Sequence, residues 1–131
     1  MTVAQQMLQT TPSETGYSQE DLAACIDACF DCAQACTACA DACLGEEMVA
    51  EMRRCITTDL NCADVCAATG RVLSRQTAYD PELTRAALDA CRQACGICAT
   101  ECESHSGMDH CRICAEACRR CEAACARLLG S

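Results

Sequence analysis

The sequence contains no lysine and no tryptophan, and it has only one phenylalanine, two tyrosines and two prolines. With so few large aromatic side chains, the interior of the protein must be filled mainly by alanine and cysteine. All ten basic residues are arginines, and nineteen acidic residues outnumber them to give a net charge of -9. Nucleic acids and anionic membranes need a basic face, so we expect neither as a partner.

The sequence also predicts no segment for export or membrane insertion. Residues 1–16 have neither the basic stretch nor the apolar run of a signal peptide, and nowhere do eighteen apolar residues follow one another without interruption. We therefore expect a cytosolic protein. Eighteen cysteines would suggest a disulfide scaffold in a small secreted protein, whereas in the cytosol they favour metal or redox chemistry.

The cysteines follow a helical rhythm. In residues 25–43 they recur at steps of four, three, four, three and four, which is the core spacing of a packed α-helix. Along such a helix the thiols form a stripe about 27 Å long. The flanking positions are nearly all alanine, for example Ala33 and Ala40, so neighbouring helices can approach closely. The stripe is a row of soft metal ligands.

Capping signals predict where the first two long helices begin and end. Ser18 is a candidate N-cap for a first helix that ends near Leu44, before Gly45. We expect a second helix from Glu46 to Gln76. The residues expected on its core face are Met48, Met52, Cys55, Asp59, Cys62, Cys66, Thr69 and Leu73.

Two further helices complete the predicted fold. Asp80 followed by Pro81 indicates the start of the third helix, which Gly107 closes. Asp109 is the expected cap of the fourth helix. Short connections between four such helices predict an all-α protein, an antiparallel up-down-up-down four-helix bundle. We expect the bundle to span residues 18–131 and residues 1–17 to form a short helix or arm on its exterior.

Every cysteine falls on one of the four predicted core faces, and these eighteen side chains are the main candidate metal ligands: Cys25, Cys29, Cys32, Cys36, Cys39, Cys43, Cys55, Cys62, Cys66, Cys91, Cys95, Cys98, Cys102, Cys111, Cys114, Cys118, Cys121 and Cys125. The outer faces carry charge, as Asp41 and Glu116 do.

Cysteine used only as a small apolar residue would forfeit burial in every layer of the core. Disulfides within one helix would strain it, because residues three or four apart have Cβ atoms about 5 to 6 Å apart. Disulfides between helices stay open as an alternative for an oxidised sample.

The choice of metal rests on charge. Iron–sulfur ferredoxins use cysteines at i, i+3 and i+6, and no such triplet occurs here. Pairs with the C-x2-C spacing of zinc sites do occur, for example Cys29 and Cys32. However, Zn²⁺ held by four thiolates keeps a net negative charge, and several such centres in one apolar core would be costly. One Cu(I) per thiolate, with shared sulfurs, is neutral. A zinc or cadmium buffer of metallothionein type is the alternative.

CxxxC and CxxC steps recur on all four predicted helices, across residues 18–129, and this pattern is typical of one known family. The chain resembles the cysteine-rich four-helix-bundle copper storage proteins of bacteria, in particular their cytosolic branch. The resemblance implies storage of many Cu(I) ions as a buried thiolate array, without enzymatic activity, in bundles that assemble as homotetramers. A copper chaperone and a small-molecule complex are the candidate copper donors.

The predicted helix directions give the bundle two different ends. One end, here called the mouth, gathers residues with neutral sulfur and imidazole groups: Met48, Met52, His105, Met108 and His110. Leucines gather at the other end. We expect Met48, Met52, His105 and His110 to be mouth ligands, with Met108 the weakest candidate. Asp59 lies at a core position between Cys55 and Cys62, where a carboxylate is costly unless it is paired or bound to metal, so it is a further candidate. The resemblance also implies an acidic residue near the mouth.

Overall fold

The computed structural model describes residues 1–130 and is all-α over that range. Its α-helices are α1 (Val3–Thr10), α2 (Gln19–Leu44), α3 (Arg53–Leu73), α4 (Pro81–Glu103) and α5 (Asp109–Leu129), and a short 3-10 helix (Val49–Met52) precedes α3. The predicted fold class is confirmed. The last residue of the predicted 18–131 range, Ser131, lies outside the described residues.

The four long helices form a closed ring. Helix α2 packs against α3 and α5, and α4 packs against the same two helices. Consecutive helices are joined by short connections, so neighbours run antiparallel. The predicted N-terminal helix is α1, which packs on the outside of α2 and buries Leu8.

Local chemistry sets several helix ends as the sequence indicates. The Ser18 hydroxyl accepts a hydrogen bond from the backbone N–H of Asp21, and the backbone N–H of Gly45 closes the other end of α2. At the start of α4, the Asp80 carboxylate accepts from the N–H of Leu83 at 3.0 Å. These contacts satisfy backbone groups that a helix end leaves without partners.

The second predicted helix is wrong at both ends. It begins at Arg53 rather than Glu46, because the chain first passes through turns and the 3-10 helix. It ends at Leu73 rather than Gln76. There the Gln76 side chain turns back and donates to the Leu73 carbonyl at 2.9 Å, which satisfies an end carbonyl without another helical turn.

The fourth and third helices need smaller corrections. Asp109 is the first residue of α5 and not its cap, since Met108 occupies the N-cap position and makes no side-chain capping bond. Helix α4 ends at Glu103, before the predicted closing residue Gly107. His105 therefore lies in the loop, beyond the last helical turn that could continue the thiol seam.

Gly70 has a packing function in α3. A Cβ atom at this position would lie 3.0 Å from the Phe30 ring and 3.2 Å from the Cys29 Cβ. A side chain here would require the Phe30 ring or the helix spacing to give way by a few tenths of an ångström. The glycine thus allows the close helix approach that keeps the thiols of the two helices within reach of one another.

Helix α2 is the one described helix whose length and composition would allow it to span a membrane, with a mean hydropathy of 1.3. Its apolar character comes from the cysteine face, and all six cysteines of α2 are buried inside the bundle. A helix buried in a protein core can have the same length and hydropathy as a membrane helix, so the hydropathy of α2 reflects the thiol-lined core.

Candidate metal centre

The bundle interior is lined with thiols. All eighteen cysteines are buried and free, and the relative exposure of each is at most 1%. Their sulfurs approach one another at 3.5 Å between Cys66 and Cys95 and at 4.0 Å between Cys29 and Cys91. A disulfide bond would need about 2.05 Å. The thiols therefore touch without being bonded, in a continuous column along the bundle axis.

Contacts link thiols from all four helices. In mid-bundle, the sulfur of Cys32 on α2 lies 3.8 Å from that of Cys62 on α3 and 3.6 Å from that of Cys118 on α5. The sulfur of Cys62 in turn lies 3.8 Å from that of Cys95 on α4. Soft monovalent metal ions placed between such sulfurs would each find two or more ligands from different helices.

The sulfurs form overlapping groups of four, with all sulfurs of a group within 4.8 Å of one another. Five of these groups are Cys29/Cys91/Cys121/Cys125, Cys32/Cys62/Cys66/Cys95, Cys32/Cys36/Cys62/Cys118, Cys36/Cys98/Cys114/Cys118 and Cys39/Cys43/Cys55/Cys111. Cys32, Cys36, Cys62 and Cys118 each belong to two of the five. Shared sulfurs suit a network of bridging thiolates better than separate tetrahedral sites, in which each sulfur would serve one ion.

Asp59 lies inside this column and is fully buried. Its Oδ1 accepts hydrogen bonds from the thiols of Cys98 at 3.0 Å, Cys114 at 3.3 Å and Cys102 at 3.4 Å. Its Oδ2 lies 3.9 Å from the sulfur of Cys55. The carboxyl group thus connects thiols of α3, α4 and α5 at one level of the bundle.

Burial, and after it the hydrogen bond from Cys98 and the nearby thiols, together raise the pKa of Asp59 to about 12. Ionisation here is costly because the buried carboxylate would lose its hydration. Asp59 is therefore a neutral acid in the metal-free protein. Placing a cation among the same thiols would make the carboxylate favourable, so the side chain can serve as a ligand or orient one.

His110 connects the thiol column to the surface at the mouth. Its Nδ1 lies 3.4 Å from the sulfur of Cys39 and 3.6 Å from that of Cys111. Its Nε2 lies 3.0 Å from Oε1 of Glu46. Burial lowers the pKa of His110, but the hydrogen bonds to Cys39 and Glu46 outweigh this effect, and the net shift is upward. Burial also raises the pKa of Cys43 and Cys111, the thiols nearest this end.

His105 has different surroundings. Its Nε2 lies 3.4 Å from Oε1 of Glu101, and the other oxygen of Glu101 pairs with Arg54 at 3.5 Å. Its side chain is 22% exposed. The structure thus places His105 in the loop between α4 and α5, beside a carboxylate.

The methionines at the mouth divide into three environments. Met52 is fully buried against the thiol core, and Met108 is partly buried against it. Met48 is 43% exposed, so the prediction that it faces the core is wrong. Its thioether lies on the outside because residues 46–52 do not continue α3.

The opposite end is closed by apolar side chains, as predicted. Leu22, Leu73, Leu88 and Leu128 are at most 1% exposed. The Thr69 hydroxyl, also at this end, donates to the Ala87 carbonyl at 3.3 Å. No thioether or imidazole of the predicted mouth lies here, so the two ends differ in chemistry as the sequence indicates.

Two functional residues at the mouth were not predicted from the sequence. Glu46 and Glu101 each hold a histidine through a carboxylate oxygen. Neither lies on a thiol seam, and acidic residues are common on helix surfaces. The contact of Glu46 depends on the path of the connecting loop, which spacing does not show. Glu101 lies four residues before His105, a spacing at which helical side chains meet, so that signal could have found it.

Comparisons with known proteins agree with this geometry. A family model described as "Copper storage protein" matches residues 18–130. A cysteine-rich protein of Bacillus subtilis (strain 168), the uncharacterised YhjQ, is 39% identical over 102 residues, which cover 78% of this chain and 90% of that protein.

Solved structures give closer matches. The copper storage protein Ccsp from Streptomyces lividans, loaded with 10 copper equivalents, is 55% identical, covers 97% of this chain and 98% of its own, and superposes with a TM-score of 0.94. A structure of a cytosolic copper storage protein from Streptomyces lividans with five coppers is 59% identical. It covers 86% of this chain and 94% of its own, with a TM-score of 0.84.

Proposed function

This chain belongs to the copper storage protein family, and we propose that it stores many Cu(I) ions in the cytosol as a thiolate array inside the bundle. The observation that carries the proposal is the set of eighteen buried, unbonded thiols in overlapping groups of four. The Streptomyces lividans relatives, loaded with ten and five coppers, support the choice of metal.

Charge explains how so many ions fit one apolar core. Each thiol that binds Cu(I) releases its proton, so a monovalent cation replaces a proton and the interior stays neutral. Sulfurs shared between groups let each ion be bridged and each sulfur serve two ions. Divalent zinc would leave a negative charge at every tetrathiolate centre. The zinc or cadmium buffer is therefore the less favoured function.

The proposed ligand set is the eighteen cysteines, with Asp59 and the mouth residues in supporting roles. We propose that Asp59 acts with Cys98, Cys102 and Cys114, and that Met52, His105 and His110 capture copper at the mouth before thiols take it. Met48 can take part only from outside the core, given its exposure. Thioether and neutral imidazole bind Cu(I) more weakly than thiolate does, so they suit transient capture.

Several further properties belong to the same proposal. We propose that the bundles assemble as homotetramers, that a chaperone or a small complex delivers the copper, and that the role is storage and not catalysis. The uniform thiol lining supports storage, since thiol enzymes use one or two activated cysteines beside a conventional core.

An anaerobic titration of the reduced protein with Cu(I) tests the proposal. We expect uptake of roughly 18 to 21 ions per chain, with about one proton released per ion bound to thiolate. Proton release measured in weak buffer is the internal check on neutrality. A plateau near four or five ions, or protons well in excess of the copper taken up, would contradict the bridged array and favour tetrahedral zinc-like sites.

A further inference from the structure

We infer that Glu46 is a positioning residue, which holds the His110 ring so that its Nδ1 lone pair faces the outermost thiols. The inference rests on the proposed function, since it concerns how Cu(I) is captured at the mouth. It gives the Glu46 carboxylate a role in copper capture that acts through the His110 ring.

The His110 ring is held from both sides. A carboxylate accepts hydrogen bonds and cannot donate them, so the 3.0 Å contact between His110 Nε2 and Glu46 Oε1 requires the hydrogen on Nε2. In the neutral ring the other nitrogen is then an acceptor. That nitrogen, Nδ1, lies 3.4 Å from the sulfur of Cys39 and 3.6 Å from that of Cys111. One hydrogen bond therefore fixes both the tautomer and the direction of the lone pair.

The two partners come from different parts of the chain. Glu46 lies in the turn that follows α2, and His110 lies in the first turn of α5. Their side chains are 33% and 25% exposed, so water reaches the pair only in part. In metalloproteins, a carboxylate on the second nitrogen of a ligand histidine orients the ring in this manner. The same arrangement occurs here, with Glu46 on Nε2 and two thiols facing Nδ1.

The second histidine provides a contrast within the same mouth. His105 contacts Glu101, but that carboxylate also pairs with Arg54. His105 lies in the loop between α4 and α5, whereas His110 connects a carboxylate directly to two thiols. We therefore assign the orienting role to Glu46.

The tautomer of His110 is the first test, and it needs no copper. Nitrogen NMR of the reduced, metal-free protein near pH 8 should show His110 with its hydrogen on Nε2. In Glu46→Ala the two tautomers should become mixed. A wild-type ring with its hydrogen on Nδ1, or an unchanged tautomer in Glu46→Ala, would overturn the inference.

The rate of copper capture is the second test. With Cu(I) supplied from a weak chelator complex without oxygen, Glu46→Ala should slow uptake of the first equivalents by about tenfold or more. Glu46→Gln should recover much of the rate, because its amide oxygen still accepts from Nε2–H. The matched control is Glu47→Ala, which removes the same charge from the exposed neighbour and should change the rate less than about twofold. Equal slowing in the two alanine variants would show general electrostatic attraction and overturn the positioning role.

A double variant connects the effect to His110. If Glu46 acts through the ring, Glu46→Ala should slow capture no further in a His110→Ala background, whereas an additive effect would contradict the inference. The final copper capacity of Glu46→Ala should equal that of the wild type. If the wild type itself took up only a few ions, the proposed storage function would fail, while the NMR result would still decide the orientation of His110.

Discussion

Replacing Asp59 by asparagine should stabilise the metal-free protein at neutral pH. Asp59 is fully buried, and its pKa is raised to about 12 in the folded state from the ordinary value of 3.8. When folding raises the pKa of a carboxyl group, the group contributes its full stabilisation of the folded state at pH values below its pKa in the unfolded state. That contribution is lost progressively as the pH rises from about 4 towards the folded pKa.

The magnitude follows from the unfolded state. In the unfolded chain the Asp59 carboxyl group is ionised at pH 7, because this pH lies about three units above its unfolded pKa. Each unit lowers the free energy of the unfolded state by about 1.4 kcal/mol. The folded protein keeps Asp59 neutral and gains nothing, so unfolding is favoured by about 4 kcal/mol relative to low pH. Asparagine is neutral in both states and nearly the same shape. Its oxygen can accept from the thiols of Cys98, Cys102 and Cys114 as Oδ1 does.

Denaturant unfolding of the reduced, metal-free protein measures the effect. Asp59→Asn should raise the free energy of unfolding by about 4 kcal/mol at pH 7 and leave it nearly unchanged near pH 3.5. The control is Asp64→Asn, an exposed carboxylate on the same helix, which should change stability by less than about 0.5 kcal/mol at either pH. A destabilised Asp59→Asn at pH 7, or an equal gain at both pH values, would refute the reasoning.

The fold could be predicted because the cysteine pattern carries both structure and chemistry. Steps of three and four place every thiol on one helical face, and the structure buries all eighteen. Alanine beside the seams permits close helix packing, and Ser18 and Asp80 mark two helix starts that the structure confirms. Asp59 stood out for the same reason, since a carboxylate on a thiol seam needs partners.

The errors lie where periodicity continues past the end of the core. Met48 and Met52 extend the seam of the second helix in the sequence, yet only Met52 is buried. The thiol column ends at the level of Cys43 and Cys55, and beyond it residues 46–52 form turns and a 3-10 helix that buries only Met52. Spacing alone cannot show where neighbouring helices stop. The contact between Glu46 and His110 depends on that loop path and was beyond prediction.

The remaining predictions concern metal-free folding, metal choice and the copper entrance. Because the helices are capped and protonated thiols are acceptable core groups, the reduced metal-free protein should show a helical circular dichroism spectrum, and a disordered spectrum would contradict this. Its melting temperature should rise as copper fills the core. Titration with Zn(II) should saturate far below the Cu(I) capacity, because each tetrathiolate zinc centre keeps a negative charge. Equal capacities for the two metals would contradict the inference that charge neutrality selects Cu(I). Finally, leucines that are at most 1% exposed close the other end of the bundle, so copper must enter at the mouth. The double variant Met52→Ala/His110→Ala should therefore slow both copper loading and copper removal by a chelator. Its copper capacity should fall by only a few ions. Leu128→Ala, at the plugged end, should leave both rates unchanged; if it alters them more than the mouth variant does, copper enters at the leucine end and the assignment of the mouth is wrong.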